Sequence, residues 1–512
     1  MSPTEANGLL YASHEQLIDE LIISGQPISA LVEQIQEIYL SDDRPWIIGF
    51  SGGKDSTTVL SLIYSALQRL PSKSRRKHIY VVSSDTLVET PVVVDMINHT
   101  IQLINTQSKK EKLPISAHAV YPDPDQTFWV NLLGRGYPAP KQQFRWCTER
   151  MKIDPVSSFI KSKVQEFGEV IVALGSRSQE SASRAQVIAR HSIADSALSR
   201  HTSLPNAYTY MPIVSWSADD VWEYLMSGPC PWGGTNRQLL ELYKGSNQGE
   251  CPLVIDKSTP SCGNSRFGCW TCTVVTEDKA LHSLIENGEE WMAPLLKFRN
   301  DLYESTRPEN KNEYRNYKRR TGRVTYVSAD RIDDSGDSES KHIPGPYWLE
   351  VRRKWVSQLL AIEKDLRSQG HNIELIREEE LQAIRQHWLR DPNEPDWKDT
   401  LPAIVAEIYP DSKIEWIDND AGMFTEHDTE LMASVASKHD ISPEMIMKLL
   451  EVELSVSGLG RRKGVHQRLL SVLKQDWGSL EEIKEKHQKT KPDGYWKSEI
   501  QKLTASLNLG SN

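Results

Sequence analysis

Apolar residues in the first half of the chain alternate between short runs and helical spacing. Residues 47–50 form a short apolar run, and residues 58–70 place apolar side chains along one face of a helix. Short runs are typical of strands buried on both faces, whereas helical spacing predicts amphipathic helices. The pattern predicts helices over residues 15–40, 58–70 and 92–107, and strands over residues 47–50, 78–83, 115–120 and 170–174.

This alternation predicts the α/β fold class, with a parallel sheet and helices on both of its faces. Such sheets bind ligands at the carboxyl ends of their strands, so residues that follow the predicted strands are the candidates for chemistry. Beyond residue 346 the pattern is mainly helical. We predict a sheet-bearing domain at 1–227, a cysteine-rich segment with a basic helical extension at 228–327, a linker at 328–346, and a helical C-terminal region at 347–512.

The overall composition narrows the class of protein. With 38% hydrophobic and 25% charged residues, the chain has the composition of an ordinary globular protein. No apolar run approaches the roughly 20 residues of a membrane span, and residues 1–16 lack the pattern of a secretory signal. We therefore expect a cytoplasmic protein without membrane contact. The net charge of −10 disfavours a broadly basic surface, so nucleic-acid contacts are expected to be local or supplied by a partner.

The strongest chemical pattern follows the first predicted strand. Adjacent glycines let the backbone approach a ligand closely, and a helix that starts directly after them offers unpaired N–H groups to an anion. Serine hydroxyls add donors, and a lysine adds positive charge. The pattern predicts a phosphate-binding loop that lacks Walker spacing. The loop consists of Ser51, Gly52, Gly53, Lys54, Asp55 and Ser56.

This hexapeptide resembles the loop of the PP-loop ATP pyrophosphatases. The resemblance implies that the loop holds the β,γ-pyrophosphate of ATP, and that ATP is cleaved between its α and β phosphates with Mg²⁺ bridging them. Lys54 and Asp55 are then candidate catalytic residues. Asp85, which follows the second predicted strand, is a candidate for binding the nucleotide or Mg²⁺. For an acid at this position, a helix-capping role is the alternative.

Several later motifs resemble the phosphoadenylylsulfate (PAPS) reductase branch of the PP-loop fold. The matching pieces are residues 85–90, 145–155, 175–184 and 212–222. Arginines near the end of a strand can bind phosphate in a bidentate manner. Arg177 is therefore a candidate catalytic residue, and Arg145, Arg150 and Arg184 are candidates for the substrate phosphate, although a solvated helix face is the alternative for Arg177 and Arg184.

Two departures from that branch disfavour reduction of an activated sulfate. True reductases tend to have a degraded loop, whereas this loop is intact. They also use a nucleophilic cysteine near the C-terminus, and no cysteine follows Cys272 in this chain.

The cysteines of this chain favour metal or redox chemistry over disulfides. Cys269 and Cys272 are separated by two residues, a spacing that lets two thiolates bind one metal or cluster. Reductases with a cluster carry a ligand at the position of Cys147. The resemblance therefore implies a 4Fe-4S cluster on Cys147, Cys262, Cys269 and Cys272.

Structural zinc is the alternative occupant, because four cysteines suit Zn²⁺ equally well. Cys251 is the reserve ligand, and Cys230, between two prolines, is the cysteine least involved.

Residues 263–275, together with the intact loop and the long helical C-terminal region, resemble the DndC-type proteins of bacterial DNA phosphorothioation. The resemblance implies a sulfurtransferase that cleaves ATP to AMP and pyrophosphate, activates a DNA backbone phosphate, and replaces a non-bridging oxygen with sulfur. The implied cofactors are ATP, Mg²⁺ and the 4Fe-4S cluster. The implied partners are a cysteine desulfurase as sulfur donor, other phosphorothioation-system proteins, and double-stranded DNA bound as part of a complex.

Other functions share these motifs. A tRNA-thiolating PP-loop sulfurtransferase uses the same adenylylation, but it is expected to carry a more basic RNA-binding module. A PAPS reductase-like enzyme of sulfur assimilation shares the fold, and a non-enzymatic assembly subunit is disfavoured by the intact loop. The basic segments at 314–323 and 460–464 are candidate contacts to a nucleic-acid backbone, with a solvated surface as the alternative.

Overall fold

The computed structural model describes residues 20–180, 182–191, 193, 196–245, 268–326, 342–391, 393–417, 426–439, 441–454 and 464–490. The strands are β1 (Ile22–Ile23), β2 (Gln26–Pro27), β3 (Trp46–Gly49), β4 (Ile79–Ser84), β5 (Ile115–Val120), β6 (Val170–Ala173), β7 (Leu198–Arg200) and β8 (Ala207–Tyr210).

The central sheet has six strands in the order β5-β4-β3-β6-β8-β7. All neighbours are parallel except β7, which pairs with β8 in the antiparallel sense. The predicted α/β fold with a mostly parallel sheet is confirmed, and the predicted strands are β3 to β6. The small hairpin of β1 and β2 replaces part of the helix predicted over residues 15–40, so that prediction is wrong over residues 22–27. The last two strands of the sheet were not predicted.

Helices cover the sheet and make up most of the C-terminal region, as predicted. They are α1 (Ile28–Leu40), α2 (Lys54–Arg69), α3 (Pro91–Glu111), α4 (Asp154–Phe167), α5 (Ala182–His191), α6 (Ala218–Met226), α7 (Arg237–Gly245), α8 (Lys279–Glu286), α9 (Ala293–Glu304), α10 (Lys311–Tyr314), α11 (Leu349–Ser368), α12 (Glu378–Leu389), α13 (Thr400–Ile408), α14 (Glu426–Lys438), α15 (Pro443–Leu454), α16 (Val465–Leu473) and α17 (Leu480–Thr490). In the part of the chain that the structure describes, none is long and apolar enough to cross a bilayer.

The two faces of the sheet pack against different helices. Along β3, Trp46 and Ile48 lie in the core that includes α1, α2 and α6, whereas Ile47 lies in the core that includes α4. This alternation is the ordinary two-residue period of a strand. Because both faces are covered, β3 and β6 are buried along their whole length, which explains why their sequences read as short apolar runs.

The chain divides into two compact units. The first contains the sheet and also Gln358–Glu380, and the second contains Leu132–Pro138, Arg307–Ser357 and the chain from Leu381 onward. Within the first unit, Nε1 of Trp129 donates to the carbonyl of Leu375 at 2.6 Å. The second half of α11 and the turn after it are therefore part of the sheet-bearing unit. The four segments predicted from the sequence, with their three boundaries, stay predictions.

The basic segment at 314–323 belongs to the second unit. The Arg315 guanidinium donates to the carbonyls of Gly345 and Pro344 at 2.7 and 2.6 Å, and burial lowers the pKa of Arg315 to about 10. Lys318 lies with its ammonium 5.1 Å from the Trp477 ring centre. These two cations serve the fold, so a nucleic-acid contact here would depend on the exposed arginines of the segment. In the second basic segment, residues 460–463 lie outside the described residues.

Glu380 is the last residue of Gln358–Glu380, the later stretch of the chain that belongs to the first unit. Its carboxyl should make the free energy of unfolding depend on pH. Burial raises the pKa of its carboxyl from 4.5 to about 7, while the N–H of Arg377 and the Thr127 side chain lower it. The folded state therefore binds this proton more tightly than the unfolded chain. The resulting stabilisation is fully present below pH 4.5 and is lost as the pH rises through about 7, amounting to roughly 3 kcal/mol.

Replacing Glu380 with Gln should remove this dependence, because an amide keeps an acceptor for the Arg377 N–H without ionising. We expect the Tm of the variant, relative to wild type, to be higher at about pH 8 than at about pH 5. The neighbouring Glu379→Gln variant is the control, since Glu379 is exposed. A constant difference in Tm across this range would contradict the prediction.

Candidate active site

The phosphate loop, residues 51–56, joins β3 to α2 through a left-handed glycine. Gly52 has a φ of +71°, which residues with a Cβ rarely adopt. A Cβ at this position would also lie 2.8 Å from Cγ1 of Ile97 on α3. The predicted turn therefore requires glycine for two independent reasons.

Hydrogen bonds within the phosphate loop fix the start of α2. Gly53 is the N-cap of this helix and provides no capping side chain. The hydroxyls of Ser56 and Thr57 donate to the Gly53 carbonyl at 3.0 and 2.8 Å, and the N–H of Ser51 donates to the Ser56 hydroxyl at 3.2 Å. A helix N-terminus held in this way, without a capping carboxylate, is suited to an anion.

A buried set of charges lies at the base of the phosphate loop. Asp55 accepts from Nζ of Lys54 at 2.9 Å and from Nε of Arg177 at 2.7 Å. Arg177 is fully buried and also lies 4.0 Å from a carboxylate oxygen of Glu180. The two cations and two carboxylates balance in formal charge, which makes their burial tolerable. Arg177 thus holds Asp55 in place, and a direct catalytic role for Arg177 stays a prediction.

Tyr243 on α7 is a contact of the phosphate loop that the sequence did not predict. Its hydroxyl accepts from the N–H of Lys54 at 3.1 Å, and its ring centre lies 5.7 Å from Nζ of Lys54. A hydroxyl on the first N–H of a helix stands where an anion would otherwise bind. The residue belongs to the segment that was predicted as cysteine-rich, at 228–327, and no motif marks it.

The segment after β4 lies next to the phosphate loop, because β3 and β4 are adjacent parallel strands. Asp85 accepts from the N–H of Leu87 at 2.8 Å. Burial raises the pKa of Asp85, Glu89 raises it further, and Arg377 lowers it. Arg377 lies in Gln358–Glu380, the later stretch of the chain that belongs to the first unit. The sequence did not predict its contact with Asp85. Asp85 and the phosphate loop thus share the carboxyl edge of the sheet.

The turn that carries two of the cysteines pairs directly with the segment after β4. Cys269 forms a β-bridge with Glu89, and the N–H of Trp270 donates to the Val88 carbonyl at 3.0 Å. The Cys269 sulfur lies 3.4 Å from Oγ1 of Thr86 and 3.8 Å from Oε1 of Glu89. Burial raises the pKa of the Cys269 thiol, and Glu89 raises it further. Cys269 is therefore anchored at the same edge of the sheet as the phosphate loop.

Cys272 and Cys147 lie beside Cys269. The N–H of Cys272 donates to the Cys269 carbonyl at 3.0 Å and closes the turn. Cys147 is near enough to raise the pKa of the Cys269 thiol, whereas Lys152 lowers it. Three of the four predicted cluster ligands therefore lie in one region, with a cation among them.

The ligand set cannot be completed within the described part of the chain. Cys262 and the reserve ligand Cys251 lie outside it, and within it no three His, Cys, Asp or Glu side chains are grouped closely enough to hold a metal ion. The thiols nevertheless fit a thiolate-bound metal or cluster in kind. Cys230 donates to Oδ1 of Asn236 at 3.2 Å, and burial raises its pKa to about 11, as suits a cysteine outside the ligand set.

The part of the chain that carries this site matches a known protein family. Residues 45–275 match the family model of the phosphoadenosine phosphosulfate reductase domain. This part of the chain is a PAPS reductase-like domain of the PP-loop type. It spans the sheet, the phosphate loop and the predicted cluster ligands.

One curated protein is similar to this chain at a low level of sequence identity. An uncharacterized protein of Methanocaldococcus jannaschii is 26% identical over 230 residues, which cover 44% of this chain and 41% of the relative. The chain thus matches less than half the length of that relative.

Two solved structures show a weak similarity in shape. A PAPS reductase from Candida auris has a TM-score of 0.27 at 14% identity, covering 44% of this chain and 94% of its own. The U34-tRNA thiolase NcsA from Methanococcus maripaludis has a TM-score of 0.27 at 13% identity, covering 55% and 80%. At these values the similarities do not bear on activity.

The arginines predicted to bind the substrate phosphate occupy different settings in the reductase-like domain. Nε and Nη1 of Arg145 are buried and find no hydrogen-bond partner among the described residues. Unpaired buried guanidinium nitrogens are costly, so Arg145 has donors available for an anion beside Cys147. Arg150 donates to Oδ1 of Asn131. Arg184 lies on α5, and its side chain is outside the described residues.

Gly175 is a second position in the reductase-like domain at which the structure leaves no room for a side chain. A Cβ at this position would lie 2.7 Å from the carbonyl carbon of Asp55 and 3.0 Å from the nitrogen of Ser56. These neighbours are backbone atoms of α2, which cannot turn aside as a flexible side chain can. The second residue after β6 must therefore be glycine for the start of α2 to lie at the edge of the sheet.

Gly175→Ala should displace the phosphate loop and weaken ATP binding by about tenfold, with a stability cost of roughly 1–3 kcal/mol. Gly168→Ala is the control. Gly168 has a φ of +83° but no atom within 4 Å of a Cβ, so it should lose stability through backbone strain alone. Calorimetric titration of ATP measures both variants. Equal affinity in Gly175→Ala and wild type would contradict the close-contact argument.

Proposed function

We propose that this protein is an ATP pyrophosphatase and sulfurtransferase that installs sulfur in the DNA backbone. One observation carries the proposal: the intact phosphate loop and the cysteine turn (Cys269–Cys272) lie at the carboxyl edge of the same sheet. The turn pairs with the segment that follows β4, through the bridge between Cys269 and Glu89. An adenylylated phosphate and a sulfur atom would therefore meet in one place. An intact loop also favours ATP cleavage over sulfate reduction.

Residues of the phosphate loop would bind the pyrophosphate of ATP. The N-terminus of α2 and the hydroxyl of Ser51 supply hydrogen-bond donors. Lys54, which pairs with Asp55 in this structure, would exchange that carboxylate for a phosphate oxygen. Asp55 and Asp85 would hold Mg²⁺, which would neutralise phosphate charge when bound. Held at this edge, ATP would present its α-phosphorus to an incoming oxygen.

The acceptor oxygen then becomes part of a leaving group. A non-bridging oxygen of a DNA phosphate attacks the α-phosphorus, the bond from this phosphorus to the β-phosphate oxygen breaks, and pyrophosphate leaves. A sulfur nucleophile at the sulfide level next attacks the activated DNA phosphorus, and AMP departs with the original oxygen. The unpaired nitrogens of Arg145 are suited to stabilise the charge on the activated phosphate.

A 4Fe-4S cluster on Cys147, Cys262, Cys269 and Cys272 would supply, when bound, a site for the transferable sulfur. A cysteine desulfurase would provide that sulfur as a persulfide, and two equivalents of a cellular thiol, oxidised to a disulfide, would reduce it to the sulfide level. Double-stranded DNA would be presented by other phosphorothioation proteins in the cytoplasm, because the chain itself carries a net charge of −10.

Mass spectrometry of nucleosides from the host tests the acceptor. The gene is deleted, total DNA and tRNA are digested, and phosphorothioate dinucleotides and thionucleosides are quantified. We expect the DNA phosphorothioates to disappear and to return with the wild-type gene. Loss of a tRNA thionucleoside with unchanged DNA would instead assign the chain to tRNA thiolation. If neither changed and the strain required reduced sulfur, the reductase-like alternative would hold.

A further inference from the structure

Arg299 on α9 is a fully buried arginine outside every motif named above. Its guanidinium donates to backbone carbonyls of the loop that carries the cysteines. Nε donates to the Cys272 carbonyl at 2.8 Å, Nη1 donates to the Thr276 carbonyl at 2.8 Å, and Nη2 donates to the Val275 carbonyl. A single planar group therefore holds the chain that leads away from the cysteine turn.

The rest of the loop is held by contacts that do not involve Arg299. The hydroxyl of Thr273 donates to the Pro140 carbonyl at 2.5 Å. The Trp270 ring packs against Trp129 and Phe298, with ring centres 5.8 and 6.1 Å apart. These contacts fix the chain at Trp270 and at Thr273, so loss of the Arg299 fork would loosen the backbone of Cys272 and the residues that follow Thr273.

We propose that Arg299 is a positioning residue for Cys272, and that it holds this thiol beside Cys269, ready for a thiolate-bound metal or iron–sulfur cluster. This inference rests on the cysteine site of the proposed function. The guanidinium places a cation beside Cys272, where thiolate charge would develop. Lysine has one ammonium in place of a fork, so it cannot satisfy three carbonyls that face a planar group.

Arg299→Lys is the test, with Arg352→Lys as the matched control. Arg352 is equally buried and donates to the Gly134 carbonyl and to Asp391, both at 2.8 Å, but it belongs to the other unit. Each purified full-length protein is reconstituted anaerobically with ferrous iron and sulfide, and then passed over a desalting column. Bound iron, acid-labile sulfide and the iron–thiolate absorbance are measured, together with ATP-dependent pyrophosphate release as a readout of the phosphate loop.

We expect Arg299→Lys to retain iron about tenfold less well than wild type, in the range that loss of an outer-shell partner costs, while Arg352→Lys retains it normally. Pyrophosphate release should persist in Arg299→Lys, which a general folding defect would not allow. Equal iron retention in wild type and Arg299→Lys would overturn the positioning role alone. Absence of iron from the wild type would overturn the cluster assignment itself.

Discussion

Replacing Lys54 with Ala should lower the rate of AMP and pyrophosphate formation by about 10²–10³-fold, the usual effect of removing one preorganised charge from a reacting phosphate. Lys54 is buried at the start of α2, and its ammonium pairs with Asp55 at 2.9 Å. No other lysine belongs to the phosphate loop. Iron bound after reconstitution should be unchanged, because the cysteine turn is anchored by the segment after β4 rather than by the loop.

The control for Lys54→Ala is another buried lysine of the same unit. Lys77 lies just before β4 and pairs with Asp42 at 2.8 Å, so Lys77→Ala removes a comparable ion pair from the opposite edge of the sheet. Turnover of ATP is measured by release of labelled pyrophosphate. We expect Lys77→Ala to lose stability but to keep its turnover per folded molecule. If Lys54→Ala kept wild-type turnover, residues 51–56 would not be the ATP site.

The parts of this site that the sequence predicted are those determined by contiguous residues. The apolar run of β3, the glycines after it and the start of α2 follow one another within residues 46–58, so their pattern specifies strand, turn and helix locally. Strand β6 was predicted for the same reason. The β7–β8 pair was missed because neither strand is an apolar run: β7 is Leu-Ser-Arg and β8 is Ala-Tyr-Thr-Tyr.

The missed residues act across long sequence separations. Tyr243 reaches Lys54 from α7, and Arg377 reaches the edge near Asp85 from beyond residue 346. No local spacing marks such residues, because their importance comes from tertiary contacts alone. Arg315 shows the reverse error. Its place in a basic segment predicts a nucleic-acid contact, but its guanidinium donates hydrogen bonds to the carbonyls of Gly345 and Pro344.

Replacing Cys269 with Ser should abolish sulfur transfer while ATP cleavage continues. Serine is close in size to cysteine and can hydrogen-bond to Thr86 and Glu89, which lie 3.4 and 3.8 Å from the sulfur, so the fold should persist. The hydroxyl cannot replace a thiolate as a ligand of iron. Bound iron should therefore fall by about 100-fold or more, beyond what an outer-shell change costs, and DNA phosphorothioates should be absent from a deletion strain that carries the variant.

Cys230→Ser provides the comparison for Cys269→Ser, because its thiol is engaged with Asn236 away from the cysteine turn. We expect this variant to restore DNA phosphorothioates to the deletion strain at the wild-type level. Pyrophosphate release by purified Cys269→Ser separates the two halves of the reaction. Loss of both pyrophosphate release and iron would mean that the cysteine turn supports the phosphate loop, since the two share an edge of the sheet. Restoration of phosphorothioates by Cys269→Ser would remove this cysteine from the path of sulfur.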